Sequence, residues 1–164
     1  MRYYHGTDKS FINFDLSKAN SYKDFGSGIY LSEKFWHAKA IATKRNAPNC
    51  YVMEYDVNME EMRQVLKIKE FKKTSESWLK FVLKNRNAII KPEYDIVIGA
   101  TADAAAQDII ENFTRKHKTR KPSKKDYREL LSRLSVNNYP RQICLLSDRA
   151  VAYFNARYIS TTRV

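Results

Sequence analysis

The sequence predicts an α+β fold in a single domain covering residues 1–164. Three observations carry this. Strand-like runs stand near both ends of the chain, at 2–5 and 156–160, with helical periodicities between them. Hydrophobic residues make up 43% of the chain and charged residues 29%, the profile of a globular chain with one core rather than a disordered one. No internal repeat, low-complexity linker or composition break divides it.

The elements follow in order. Residues 2–5 (Arg-Tyr-Tyr-His) read as a first strand. Residues 7–27 are polar and irregular, and Gly26 and Gly28 mark a tight loop. Residues 28–32 form a second strand. Ser32 is placed to N-cap a helix whose apolar face is Phe35, Ala38 and Ala42. Residues 50–57 alternate as a half-buried strand. Trp78, Phe81 and Val82 place a helix over 75–87. Residues 94–99 are a short apolar run closed by Gly99, a central strand. Ala102, Ala106, Ile110 and Phe113 recur at helical spacing. A further helix starts at Ser123, capped with Asp126 three residues on, and carries Tyr127, Leu130, Leu131 and Leu134. Residues 142–146 read as a buried strand. Ser147 caps a short helix through Phe154, and 156–160 closes the chain as a strand. Residues 58–73 give no assignable element.

Composition narrows the function. Cys50 and Cys144 sit in apolar strand-like runs, so they read as buried small hydrophobes and not as a disulfide framework. Together with His37 and His117 they match no zinc spacing, and no metal is expected. Neither a Walker loop nor a Rossmann fingerprint is present. The first ten residues lack the apolar stretch of a signal peptide, and no apolar run approaches membrane-spanning length. A cytoplasmic protein without a membrane partner is expected. The formal charge is +12, and more than half of it lies in residues 115–128, with eight cations against the one acid Asp126. Such a concentration attracts polyanions; the alternative is a solvated interhelical loop.

Two motifs point to chemistry. In Tyr4-His5-Gly6-Thr7 a glycine at a strand end lets backbone approach a flat ligand, and the imidazole beside it can bond a ribose hydroxyl. In Asp24-Phe25-Gly26-Ser27-Gly28-Ile29-Tyr30-Leu31-Ser32-Glu33 two glycines enter a strand that delivers Tyr30.

In order and chemistry these motifs resemble the catalytic core of the poly(ADP-ribose) polymerase branch of the ADP-ribosyltransferases. That branch carries His-Gly-Thr or His-Gly-Ser, then Phe-Gly-x-Gly-Ile-Tyr. Residues 94–103 and 141–154 further resemble a bacterial domain family of unknown function, grouped with those enzymes and often encoded beside antitoxin-like genes. The resemblance implies two small packed sheets split around an NAD cleft, with flanking helices. NAD would be the substrate. His5 would hold the adenosine ribose, the Gly6 backbone would pair with the nicotinamide carboxamide, and Tyr30 would pack on the nicotinamide and its ribose. Thr7, Gly28 and Ile41 complete the implied binding set. His5 and Gln142 are expected in one cleft.

Three positions depart from that pattern. Gln142 stands where the branch has a catalytic Glu, Ser27 where it often has Lys, and Ile41 where a second aromatic closes on the nicotinamide. A carboxylate stabilises an oxocarbenium-like centre by charge, whereas an amide only accepts a hydrogen bond. Chain elongation is therefore not expected. Asp103 is an auxiliary acid that could supply the missing charge, or a helix N-terminal acid favoured by the macrodipole. The implied activity is mono-ADP-ribosyl transfer to a macromolecular acceptor, protein or nucleic acid, as a toxin or effector with an antitoxin partner. The alternatives are an inactive module that binds NAD or ADP-ribose, and an enzyme directed to nucleic acid through residues 115–128.

Overall fold

The computed structural model describes residues 1–44, 46–102, 104–134 and 140–164. It is an α+β arrangement of seven strands and six α-helices among the described residues, with a 3₁₀ turn at Leu16–Lys18. The chain order is β1 (Arg2–Thr7), β2 (Ile29–Ser32), α1 (Phe35–Thr43), β3 (Tyr51–Asp56), α2 (Met59–Val65), β4 (Ile68–Glu70), α3 (Glu76–Asn87), β5 (Ile96–Ala100), α4 (Ala104–Lys116), α5 (Lys124–Arg133), β6 (Arg141–Leu145), α6 (Asp148–Asn155) and β7 (Tyr158–Arg163).

All seven strands lie in one sheet, in the order β4-β5-β6-β2-β1-β3-β7. Only β4 and β5 run parallel; they flank α3 in sequence, as a crossover connection requires. Two separate sheets were expected, and a single sheet is found. Its middle is nonetheless thin. β1 and β2 pair at one position, Tyr4 opposite Ser32, whereas β1 pairs with β3 at six positions and β6 with β5 at five. This single stitch joins a four-stranded half to a three-stranded half.

Strand alternation divides the core between the two faces. Tyr3, Ile29, Leu31, Met53, Tyr55, Ile96, Ile98, Ile143 and Leu145 point to one face, under Met62 of α2 and Ala150, Val151 and Phe154 of α6. Val97 and Cys144 point to the other, under Trp78, Leu79 and Val82 of α3, Ala106 and Ile110 of α4, Leu130 of α5 and Leu134 at its C-terminal cap. The indole nitrogen of the fully buried Trp78 donates to the Ala100 carbonyl at 2.8 Å, so its burial leaves no orphaned donor.

Local signals explain most helix starts. Ser75, Ser123 and Ser147 cap α3, α5 and α6, and Ser123 forms a full capping box with Asp126. The expected Ser32 cap is not made. Ser32 is the last residue of β2, held there by Tyr4 and Gln142 on either side, and Lys34 becomes the N-cap of α1 without a side-chain bond. The cysteines Cys50 and Cys144 are both free and buried.

Candidate functional site

The three motif segments converge where the sheet is thinnest. Ser32 lies opposite Tyr4 on β1 and opposite Gln142 on β6, so residues far apart in sequence become cross-strand neighbours. Beyond that pair β1 runs on through His5, Gly6 and Thr7, while β2 is traced back through Leu31, Tyr30 and Ile29, with no further register pair between them. His5 bridges the parting strands: its Nδ1 lies 2.8 Å from the Tyr30 carbonyl oxygen. A carbonyl can only accept, so Nδ1 carries the proton, and in the neutral ring Nε2 is left as an acceptor. Burial lowers the pKa of His5, with the Tyr30 bond as a smaller opposing effect, and keeps the ring neutral.

Alternation settles which side chains can meet. Tyr4 and Gln142 are each the direct partner of Ser32, and the three share a face with Gly6, Tyr30 and Cys144. His5 and Thr7 point to the opposite face, where the His5 ring meets Phe14 edge-on at 5.0 Å and Phe11 at 5.9 Å. The expectation that His5 and Gln142 line one cleft is thus corrected: they share a seam, not a face. The cause is their one-residue offset across the Tyr4–Ser32–Gln142 row.

Gln142 is 5% exposed, and its amide makes no hydrogen bond to any described residue. The amide is not sealed in. Among the described residues, Arg141 Nε is the one fully enclosed side-chain nitrogen or oxygen lacking a partner. A buried amide without partners is uncommon, because desolvation without a bond costs about 1–3 kcal/mol.

Tyr30 does structural work. Its hydroxyl donates to the Gly26 carbonyl at 3.0 Å and accepts from the Phe25 amide at 2.9 Å, and its ring stacks on Phe25 at 6.2 Å. Burial raises its pKa, which keeps the donating proton in place. Gly26 has φ +101°, a backbone conformation that favours glycine. Gly6 packs against α1 so closely that a Cβ would collide with the Ala38 carbonyl oxygen. Gly28 is buried against Cys144 and Leu145 of β6. Ser27 bonds Ser21 at 3.0 Å. Ile41 is 41% exposed on α1, whose buried stripe is Ala38 and Ala42. Asp103 lies outside the described residues.

Two further groups were not found from sequence. Asp24 is buried, and its carboxylate takes Arg86 Nε at 2.5 Å and the Ala102 amide at 2.6 Å, tying the glycine loop to α3 and to the end of β5. His37, from α1, places Nδ1 3.0 Å from the Ser32 hydroxyl, on the Gln142 face of the seam, and partial burial lowers its pKa. The serine-to-histidine spacing of five was the only hint.

Two surface recesses lie elsewhere. One, of about 580 Å³, is shallow and lined by Met1, Asp56 to Glu60 and Arg157. The other, of about 140 Å³, lies between α4 and α5. Neither touches His5, Tyr30 or Gln142. No group of three or more His, Cys, Asp or Glu among the described residues could hold a metal ion, and no described helix is long and apolar enough to cross a membrane.

No curated protein and no solved structure matches the chain. A family model does, over residues 1–155, nearly the whole sequence; the chain belongs to the family described as Protein of unknown function (DUF3990).

Proposed function

We propose that the chain is a mono-ADP-ribosyltransferase that takes NAD as donor at the seam between β1 and β2. The unpartnered, buried amide of Gln142 is the observation that carries this, because it supplies hydrogen-bonding capacity that the fold itself does not use. It stands beside the motifs that resemble the donor site of the ADP-ribosyltransferases. A ligand lying along β1 at Gly6, where its register with β2 has ended, would have one face of the sheet on either side. Such a placement would bring one molecule to both His5 and Gln142.

The roles follow from the groups present. His5 Nε2 accepts a ribose hydroxyl proton. The Gly6 edge pairs with the carboxamide. As the glycosidic bond breaks, nicotinamide leaves with the bonding electron pair, which neutralises its pyridinium ring. Positive charge develops on the ribose, and the Gln142 amide oxygen accepts a hydrogen bond from the adjacent 2′-hydroxyl. The acceptor atom bonds to the ribose carbon and gives up its proton to a base, a role that His37, held by Ser32 with its pKa lowered by burial, is assigned in this proposal. A macromolecular acceptor, a toxin or effector role in the cytoplasm and an antitoxin partner belong to the same proposal. The alternative is a module that binds NAD or ADP-ribose without turnover, which the missing carboxylate at Gln142 favours.

Nicotinamide release from the native chain and from Gln142→Glu decides between them. One added charge at the reacting centre is worth on the order of 3 kcal/mol, or about a hundredfold in rate. The new carboxylate would be buried, so its pKa rises and the gain should grow with pH. NAD binding without release in both proteins selects the binding module. No NAD binding by calorimetry in either removes both.

A further inference from the structure

The charge concentrated in residues 115–128 is explained by neither the fold nor the donor site. Arg115 and Lys116 end α4, Lys118, Arg120 and Lys121 lie in the connector, and Lys124, Lys125 and Arg128 stand in α5; all eight are exposed. At the C-terminal end of α4, cations suit the helix dipole. At the start of α5 they oppose it, because the N-terminal turn of a helix favours anions. Lys124 and Lys125 therefore stand where local stability argues against them.

Neighbouring acids offset little of this charge. Asp126 is committed to the Ser123 amide and hydroxyl at 2.7 Å each and to Arg120 at 3.3 Å. Glu129 approaches Lys125 at 3.9 Å, and Glu76 pairs with Lys80 at 2.7 Å while feeling Lys124 and Arg128. Lys116, Lys118, Lys121, Lys124 and Arg128 have no ion-pair partner among the described residues. On α5, positions 124, 125 and 128 share the face opposite the buried Leu130. Lys80 of α3 lies over the Tyr127 ring at 4.9 Å, which carries the positive surface onto the next helix.

The ridge carries no exposed large apolar side chain; those of the described residues are Met1, Ile12, Tyr22, Phe35, Trp36, Ile41, Val65, Ile89 and Ile159. A helix that lies in a membrane surface needs an exposed apolar face, and a surface that grips unpaired bases needs exposed aromatic rings. Cations without either suit a phosphodiester backbone.

We propose that the α4–α5 ridge binds the sugar-phosphate backbone of duplex nucleic acid, without preference for sequence. As the place where an acceptor docks, it rests on the transferase reading. As a binding surface it does not, and the test contains no NAD, so the two can fail separately.

The test is fluorescence anisotropy of the full chain with labelled 20-base-pair duplexes of two unrelated sequences, between 50 and 200 mM salt. The compared variant is Lys121→Gln, Lys124→Gln, Lys125→Gln together. Each phosphate contact contributes a salt slope of about 0.9, or about 3.5-fold between those salt concentrations. Losing three contacts should cut the salt-dependent loss of affinity by about 40-fold, equally for both sequences. A control variant, Lys34→Gln, Lys39→Gln, Lys44→Gln, removes the same charge from exposed positions on and beside α1 and should bind as the native chain does. Circular dichroism confirms that both fold. The proposal is overturned if the native chain binds neither duplex at 50 mM salt, if the ridge variant keeps the native slope, or if the control loses as much. Binding to vesicles of anionic lipid but not to duplex also overturns it.

Discussion

Replacing Tyr30 with Phe should destabilise the chain by about 2–3 kcal/mol, a large effect for the loss of one oxygen. That oxygen serves two backbone groups, the Phe25 amide at 2.9 Å and the Gly26 carbonyl at 3.0 Å. Phe25 is 1% exposed, so water cannot replace the acceptor its amide loses. An unsatisfied buried donor costs about 1–3 kcal/mol, and the lost bond to Gly26 adds about 1 more, partly recovered by solvent. The ring itself is retained, and its stacking on Phe25 survives. Urea unfolding checks the figure: with a slope near 2 kcal/mol/M, the midpoint should fall by about 1 M without a change of slope. A midpoint within error of the native chain would refute the claim that the hydroxyl pins the glycine loop. The same variant bears on ligand binding. Ring stacking alone predicts that Phe preserves NAD affinity better than Ala does. A pinned loop predicts that Phe loses much of it too, because the loop that ends in Gly28 is released.

Other perturbations follow from equally local geometry. Gly6→Ala drives a Cβ into the Ala38 carbonyl of α1 and should cost at least 1–3 kcal/mol, read as a lowered thermal midpoint; an unchanged midpoint would show that α1 is not seated on β1. Ser123→Ala removes half of the α5 capping box and should cost about 1 kcal/mol at neutral pH. Asp126 is held at about 2, below its usual 3.8, first by the Ser123 amide and then by its hydroxyl, so its contribution is full above about pH 4 and lost as pH falls towards 2. The difference between native and Ser123→Ala proteins should shrink over that window. His5→Ala and Gln142→Ala should each weaken NAD binding in calorimetry, and full retention by either would place the ligand on one face only. Because burial lowers His5 below its usual 6.5, its contribution to stability is present above that pH and declines on acidification.

Much of the fold was legible because its signals are local. Ser123 with Asp126, and Ser147 before an apolar turn, announce helices without knowledge of the rest of the chain. The α2–β4 stretch was not legible. α2 has seven residues and buries only Met62, which leaves no periodicity to read, and β4 has three half-buried residues, too few to alternate. The one usable sign was Asn58, whose side chain accepts from the amides of Glu60 and Glu61. Ser32 misled because the cap rule weighs sequence neighbours, while its place was settled by strands from both ends of the chain. For Asp24 no local sign exists: its partners Arg86 and Ala102 are 62 and 78 residues away. Of the site, sequence placed Gln142 beside the other motifs, but only the cross-strand row shows that it and His5 face opposite ways.

The structural duties of the motif residues also narrow what is left for chemistry. Gly26 answers to its backbone angle, Gly6 to the approach of α1 and Gly28 to the approach of β6. The Tyr30 hydroxyl and the Asp24 carboxylate are both occupied in holding the loop. Each of these residues would be required for folding even in a chain that bound nothing, so their presence alone argues weakly for a ligand. What the described residues leave is the Gln142 amide, the Nε2 acceptor of a neutral His5, and the side of β1 beyond Tyr4 that has no register partner in β2. All three lie within about one residue of the Tyr4–Ser32 stitch, and all three offer hydrogen bonds rather than charge. A partner matched to them would present hydroxyl and amide groups and carry its charges elsewhere, as the ribose and carboxamide of a nicotinamide nucleotide do. The contrast with the α4–α5 ridge is then informative. The seam offers neutral hydrogen bonding, and the ridge offers charge without an apolar or aromatic surface, so the two would recognise different parts of a reaction or different molecules altogether.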